Sequence, residues 1–147
     1  MVDRRYRLRE EHDVKRVRSR GRSVAQGALV LRYMPNSLEP VQNRYTVIAG
    51  KKCGNAVHRN RLKRLVREAL RAWHPVLKPG HDVAIVCRGG IEEMPDLAAA
   101  QTTLQQILGR TDLVQPGAKA PTVGAPITTS WKGGTAKTTE TANGEQE

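Results

Sequence analysis

The strongest constraint in the chain is the run at residues 60–73, where Leu62, Leu65, Val66, Ala69, Leu70 and Trp73 fall on one stripe at the 3.6-residue period. That spacing predicts an amphipathic helix, stopped by Pro75, with one face in a core. The opposite face is almost wholly cationic. Arg59, Arg61, Lys63, Arg64, Arg67 and Arg71 share it with Asn60, and Glu68 is its lone acid. Arg59, Lys63, Arg67 and Arg71 stand four residues apart, so like charges stack along the helix, each pair costing roughly 0.2 to 0.5 kcal/mol in isolation. A solvated surface helix normally intersperses Glu to form pairs at that spacing. This one keeps its cations available for an anion, and five Arg to one Lys favours phosphate, because the planar guanidinium fork donates two bonds at once.

Charge elsewhere supports the same reading. The net charge is +11, and residues 1–110 hold 22 basic against 10 acidic side chains while residues 111–147 hold 3 against 4. The basicity therefore belongs to the part that folds, and a polyanion is the expected partner. With no Phe, three Tyr and two Trp, the core must be mostly aliphatic and platforms for stacking bases are few.

Upstream, residues 10–20 carry Val14 and Val17 at helical spacing, with Leu8 leading in and Gly21 as a stop, which predicts a short helix. Residues 28–34 and 45–49 read as strands joined through PNSLEPVQN, a hairpin with a long connection. After the cationic helix, DVAIVCR at residues 82–88 is a strand ended by Gly89 and Gly90. Residues 95–108 form a last helix, with Pro95 at its first position and a stripe of Leu97, Ala100, Leu104, Ile107 and Leu108. The order is α, two or three β, α, β, α. A strand, helix and strand across residues 45–88 need a crossover, so the fold class is α+β, a small two-layer α/β sandwich with a mixed sheet. Residues 1–110 make this domain. Residues 111–147, rich in Thr, Ala, Gly and Pro and without any period, are expected to form a disordered tail in which Trp131 is incidental.

Other classes find little support. Cys53 and Cys87 lie in no CxxC or Cys/His cluster, so free thiols are expected in place of a disulfide framework or a zinc site. The N-terminus has no apolar signal region, and no apolar stretch approaches the roughly 20 residues of a membrane helix. A soluble, reducing, cytoplasmic protein is expected, without a membrane partner or a small-molecule substrate. His12, His58, His74 and His81 fall in different elements, and Asp82, Glu92, Glu93 and Asp96 are spread over a strand end and a loop. Neither a catalytic side chain nor a metal ligand is expected from the protein. Just before the cationic helix, GKKCGNAVHRN brings Lys51, Lys52, Gly54 and Asn55 to the helix N-terminus, where backbone N–H groups and the helix dipole also favour phosphate.

The run K-K-x-G-N-A-V-x-R-N-R-x-K-R-x-x-R-E-A, from Lys51 to Ala69, resembles the signature of the bacterial ribonuclease P protein component, with its Arg-Asn-Arg core at Arg59, Asn60 and Arg61. The resemblance extends over the lead-in RLREEHDVKRVRSRG, the strand ending in DVAIVCR and the last helix, about residues 4–110. It implies a basic subunit that binds a large catalytic RNA, which removes the 5′ leader of precursor tRNA by Mg²⁺-assisted hydrolysis, the metal being used by the RNA and not held by the protein. It also implies a left-handed β-α-β crossover in the order α-β-β-(β)-α-β-α, against the usual hand. By position, Arg59, Asn60, Arg61, Lys63, Arg64 and Arg67 inherit contact with the catalytic RNA, and Lys51, Lys52 and Arg71 extend that cationic surface. A second surface implied by the resemblance is a cleft for the single-stranded leader, at Val14, Arg18 and Arg32, where the family often carries aromatics; Tyr33 should face the other way. The alternative reading of the residues is a ribosomal or other structured-nucleic-acid-binding protein. On the polar face of the helix only Asn60 suits base-edge reading, so backbone contact dominates under either reading.

Overall fold

The structure, a computed structural model, describes residues 6–121. Its elements are α1 (Glu11–Arg20), β1 (Arg22–Gln26), β2 (Leu29–Pro35), β3 (Arg44–Ala49), α2 (Ala56–Trp73), β4 (His81–Cys87) and α3 (Leu97–Leu108). The four strands form one mixed sheet in the order β1-β2-β4-β3, with β4 antiparallel to β2 and parallel to β3. β4 takes a central place because its run is apolar on both faces: Val83 and Ile85 point to one side and Ala84 to the other, all buried.

One sheet face, with Leu29, Leu31, Tyr33, Tyr45, Val47, Val83, Ile85 and Cys87, packs on α2 and α3 in the main core. There α2 contributes Leu62, Val66, Ala69, Leu70 and Trp73, while Leu65 sits at the margin, only partly buried. On the opposite face α1 makes a much smaller apolar contact through Leu8, Val17 and Ala84, with Val14 and Met34 partly buried beside them. A buried polar pair lies within the main core, where the Tyr45 hydroxyl meets His74 Nδ1 at 2.8 Å and also accepts from Asn43 Nδ2 at 3.2 Å. Both cysteines are free and buried, and Cys53 Sγ donates to the Cys87 carbonyl at 3.1 Å. Among the described residues no helix is long and apolar enough to cross a membrane.

The strand pairing departs from the hairpin expected of residues 28–34 and 45–49. β2 pairs instead with β1 and β4, and β3 reaches the sheet only beside β4. The true hairpin is β1–β2, closed at Gly27, whose φ of +56° suits glycine. β1 reads RSVAQ, too polar for its sequence to announce a strand, and as an edge strand it needs only Val24 facing the core beside Leu31. The packed chain also runs past residue 110. Leu113 is fully buried, its carbonyl accepts from Lys78 N at 2.6 Å, and Gln115 N donates to the Val76 carbonyl at 2.9 Å. Two apolar neighbours, Leu113 and Val114, carry no period and so gave no sign of this pairing in the sequence. The rest of the expected tail, residues 122–147 with Trp131, lies outside the described residues.

Candidate RNA interface

α2 starts four residues ahead of the run 60–73 expected to form it. Asn55 caps it, its Oδ1 accepting from His58 N at 2.9 Å, so residues 56–59 are its first turn. Lys51, Lys52 and Cys53 form a short 3-10 turn before the cap. Gly54 links the two at φ +119°, a backbone region that side chains rarely adopt. The glycine of the signature is thus a geometric requirement: it turns the chain so that exposed Lys51 and Lys52 adjoin the positive end of α2.

Along α2 the cations occupy one continuous face, as the spacing required. Asn60, Arg61 and Arg64 are exposed, while Arg59, Lys63, Arg67 and Arg71 are partly buried. At about 1.5 Å rise per residue, each four-residue step of the ladder advances about 6 Å. Some of these groups are held in place. Arg61 Nη2 donates to the Pro95 carbonyl at 3.0 Å, and Arg71 Nη1 pairs with Glu68 at 3.3 Å. Arg67 is pulled below its ordinary pKa, first by burial and then by the nearby charge of Arg7. Arg7 is brought there by the lead-in to α1, which bridges Tyr45 on β3. Sequence spacing could not reveal this neighbour, because it comes from a different element.

The second surface lies on the opposite side of the sheet. Lys15, Arg18 and Ser19 of α1 and Arg32 of β2 line an open groove of about 440 Å³. Arg32 Nη1 donates to the Arg18 carbonyl at 2.7 Å, so the two arginines expected here do meet. Val14 does not line the groove with them; it packs against the small cluster under α1. Tyr33 faces the main core, its hydroxyl donating to Asp112 at 2.9 Å, in agreement with strand alternation. Lys15 and Ser19 were missed, although Lys15 precedes Arg18 by three residues and Ser19 follows Lys15 by four, one helical face. On the same face of the sheet as Arg32, the next row across the strands is Ala25, Val30, Val86 and Ile48, aliphatic and half-buried. Cationic walls beside an apolar floor can take a strand whose phosphates and bases are both accessible.

The acids found near these surfaces are engaged. Asp82 is fully buried and receives Arg44 Nε at 2.9 Å and Nη2 at 2.8 Å, with Asn36 Nδ2 at 3.0 Å. Asp13 accepts from Arg16 at 2.9 Å. Among the described residues no three His, Cys, Asp or Glu side chains gather in a way that could hold a metal ion.

Comparison with known proteins places these features in context. A family model described as Ribonuclease P matches residues 2–112. The ribonuclease P protein component of Caldanaerobacter subterraneus subsp. tengcongensis is 38% identical over 109 residues, covering 74% of this chain and 91% of that one. That of Roseiflexus castenholzii is 37% identical over 114 residues, covering 78% and 92%. Among solved structures, the Staphylococcus aureus RNase P protein superposes with a TM-score of 0.65 at 26% identity, covering 75% of this chain and 98% of that one. The Thermotoga maritima protein gives 0.64 at 29% identity, covering 72% and 100%.

Proposed function

Since this chain belongs to the bacterial ribonuclease P protein family, we propose that the cationic face of α2 binds the catalytic RNA of that enzyme and that the groove between α1 and β2 takes the 5′ leader of precursor tRNA. The chain is an RNA-binding subunit of a tRNA-processing endoribonuclease. The observation that carries the assignment of surfaces is the α2 face itself: six cations from Arg59 to Arg71, with one acid among them, in the register of the family signature. Arg59, Asn60, Arg61, Lys63, Arg64, Arg67 and Arg71, with Lys51 and Lys52, then contact RNA phosphates, while Arg18 and Arg32 contact the leader.

In this reading the protein positions and the RNA reacts, in the cytoplasm. The carboxylates that could have activated a water are committed elsewhere, Asp82 to Arg44 and Asn36 and Asp13 to Arg16, and Glu92, Glu93 and Asp96 stand on a connecting segment. The Mg²⁺ that cleavage needs is assigned to the RNA subunit, with no ligand from this chain. By neutralising phosphates on both partners, the protein raises affinity for the precursor and lowers the Mg²⁺ concentration required. Native gel titration of ribonuclease P RNA with the full-length protein, against excess ribosomal RNA as competitor, tests the partner. A shifted complex that survives the competitor is expected; equal loss to ribosomal RNA would favour a general structured-RNA binder.

A further inference from the structure

The wall of the groove formed by α1 has a slender apolar footing. Only Val17 of the helix is buried in that contact, over Leu8 and Ala84, with Val14 and Met34 at the margin. Apolar contact of this kind is non-directional and would allow the helix to slide or roll on the sheet. What fixes it is a chain of alternating charges on the side away from the groove. Arg16 Nη2 donates to Asp13 Oδ1 at 2.9 Å; Asp13 Oδ2 lies 3.5 Å from Arg44 Nη1; and Arg44 grips the buried carboxylate of Asp82 with both arms of its fork. Arg16 Nη2 also comes within 3.9 Å of Asp82. These groups are shielded, Asp13 being 12% exposed, Arg44 17% and Asp82 not at all, so their attraction is screened less than a surface pair would be. At its far end the helix is tied again, where Arg32 donates to the Arg18 carbonyl at 2.7 Å. The first tether reaches β3 and β4, the second β2.

We propose that Asp13 and Arg44 are positioning residues for the leader groove: their ion pair, anchored on buried Asp82, sets how α1 stands over the sheet and hence where Lys15, Arg18 and Ser19 lie opposite Arg32. The proposal rests on the reading of that groove as the leader site. Two of the acids in a chain of net charge +11 are used at this junction, and they turn away from the groove, which leaves its walls cationic. Held by its two bonds to Asp82, Arg44 presents a fixed cation to Asp13 at 3.5 Å, and that gives α1 the preferred direction its apolar footing lacks.

The test is the ratio of the Kd for mature tRNA to the Kd for leader-bearing precursor tRNA, measured with full-length protein assembled on ribonuclease P RNA. Asp13→Asn keeps the shape of the side chain and makes the protein more positive, so charge alone would tighten its hold on RNA. Positioning demands the reverse for the leader: the ratio should fall several-fold, while affinity for the RNA subunit, carried by α2, stays unchanged. Asp13→Glu restores the charge and should recover the ratio. Arg44→Lys leaves the net charge unchanged but loses the fork, and it should lower the ratio as Asp13→Asn does, which keeps the test open if one variant does not fold. A wild-type ratio in folded Asp13→Asn or Arg44→Lys protein would overturn the proposal. A ratio near one in the wild-type protein would remove the leader reading itself, and the positioning role with it.

Discussion

Arg64 lies exposed on α2 and makes no hydrogen bond or ion pair among the described residues, so replacing it separates RNA contact from folding. Arg64→Ala is expected to weaken binding to the catalytic RNA by about 1 kcal/mol or more, with stability held within about 0.5 kcal/mol. A thermal melt that falls in step with affinity would contradict this. Leu70→Ala, six residues further on, should do the opposite: a fully buried side chain is truncated, at a cost of about 2 to 5 kcal/mol read by chemical denaturation. Both roles were legible in the sequence, because a 3.6-residue period assigns each position to a face. Leu65 shows the limit of that argument, since the stripe has margins that periodicity does not mark. Burial also raises the Cys87 thiol to about 12, and raises Tyr45. The folded state holds these protons more tightly than the unfolded chain. The resulting stability is intact below about pH 9 and is lost as pH rises toward 12, with a slope of up to about 1.4 kcal/mol per pH unit for one group. A denaturation midpoint that stays flat from pH 9 to 12 would contradict the buried thiol.

α2 is both the element most legible in the sequence and the one to which the proposed interface is assigned, for a single reason. A helix with one apolar and one cationic face states its partners on both sides. If about five phosphates are contacted, the log–log dependence of RNA affinity on salt should have a slope near −4, and a nearly flat dependence would remove the ladder from the interface. Strands were harder. The β4 run announced a strand but not its central place, because pairing is a tertiary outcome, and proximity in sequence wrongly suggested that β2 and β3 were partners. β1 has no signature in the sequence, because five residues with one core-facing valine lie below what alternation can signal. α1 was found, yet the charges that orient it were not, since Asp13, Arg44 and Asp82 meet across three elements.

In the proposed reading the fold turns two faces to RNA, α2 with its ladder on one side of the sheet and α1 with its groove on the other, with the sheet between them. This arrangement suits a protein that must touch a large RNA and the free strand of its substrate together. The excess of 22 basic over 10 acidic side chains in residues 1–110 pointed to a polyanion partner of the folded part, but composition could not see that Leu113 and Gln115 close the core against the segment after α2. Affinity for RNA alone would fit many basic proteins; a defined cut at one position in the presence of a catalytic RNA would not. The most direct measurement is cleavage of precursor tRNA by a bacterial ribonuclease P RNA at low Mg²⁺, with and without this protein, with the cut site mapped. Strong stimulation at the mature 5′ end, and no cleavage by the protein alone, is the predicted result. No stimulation by demonstrably folded protein, or cleavage by the protein without the RNA, would contradict the account.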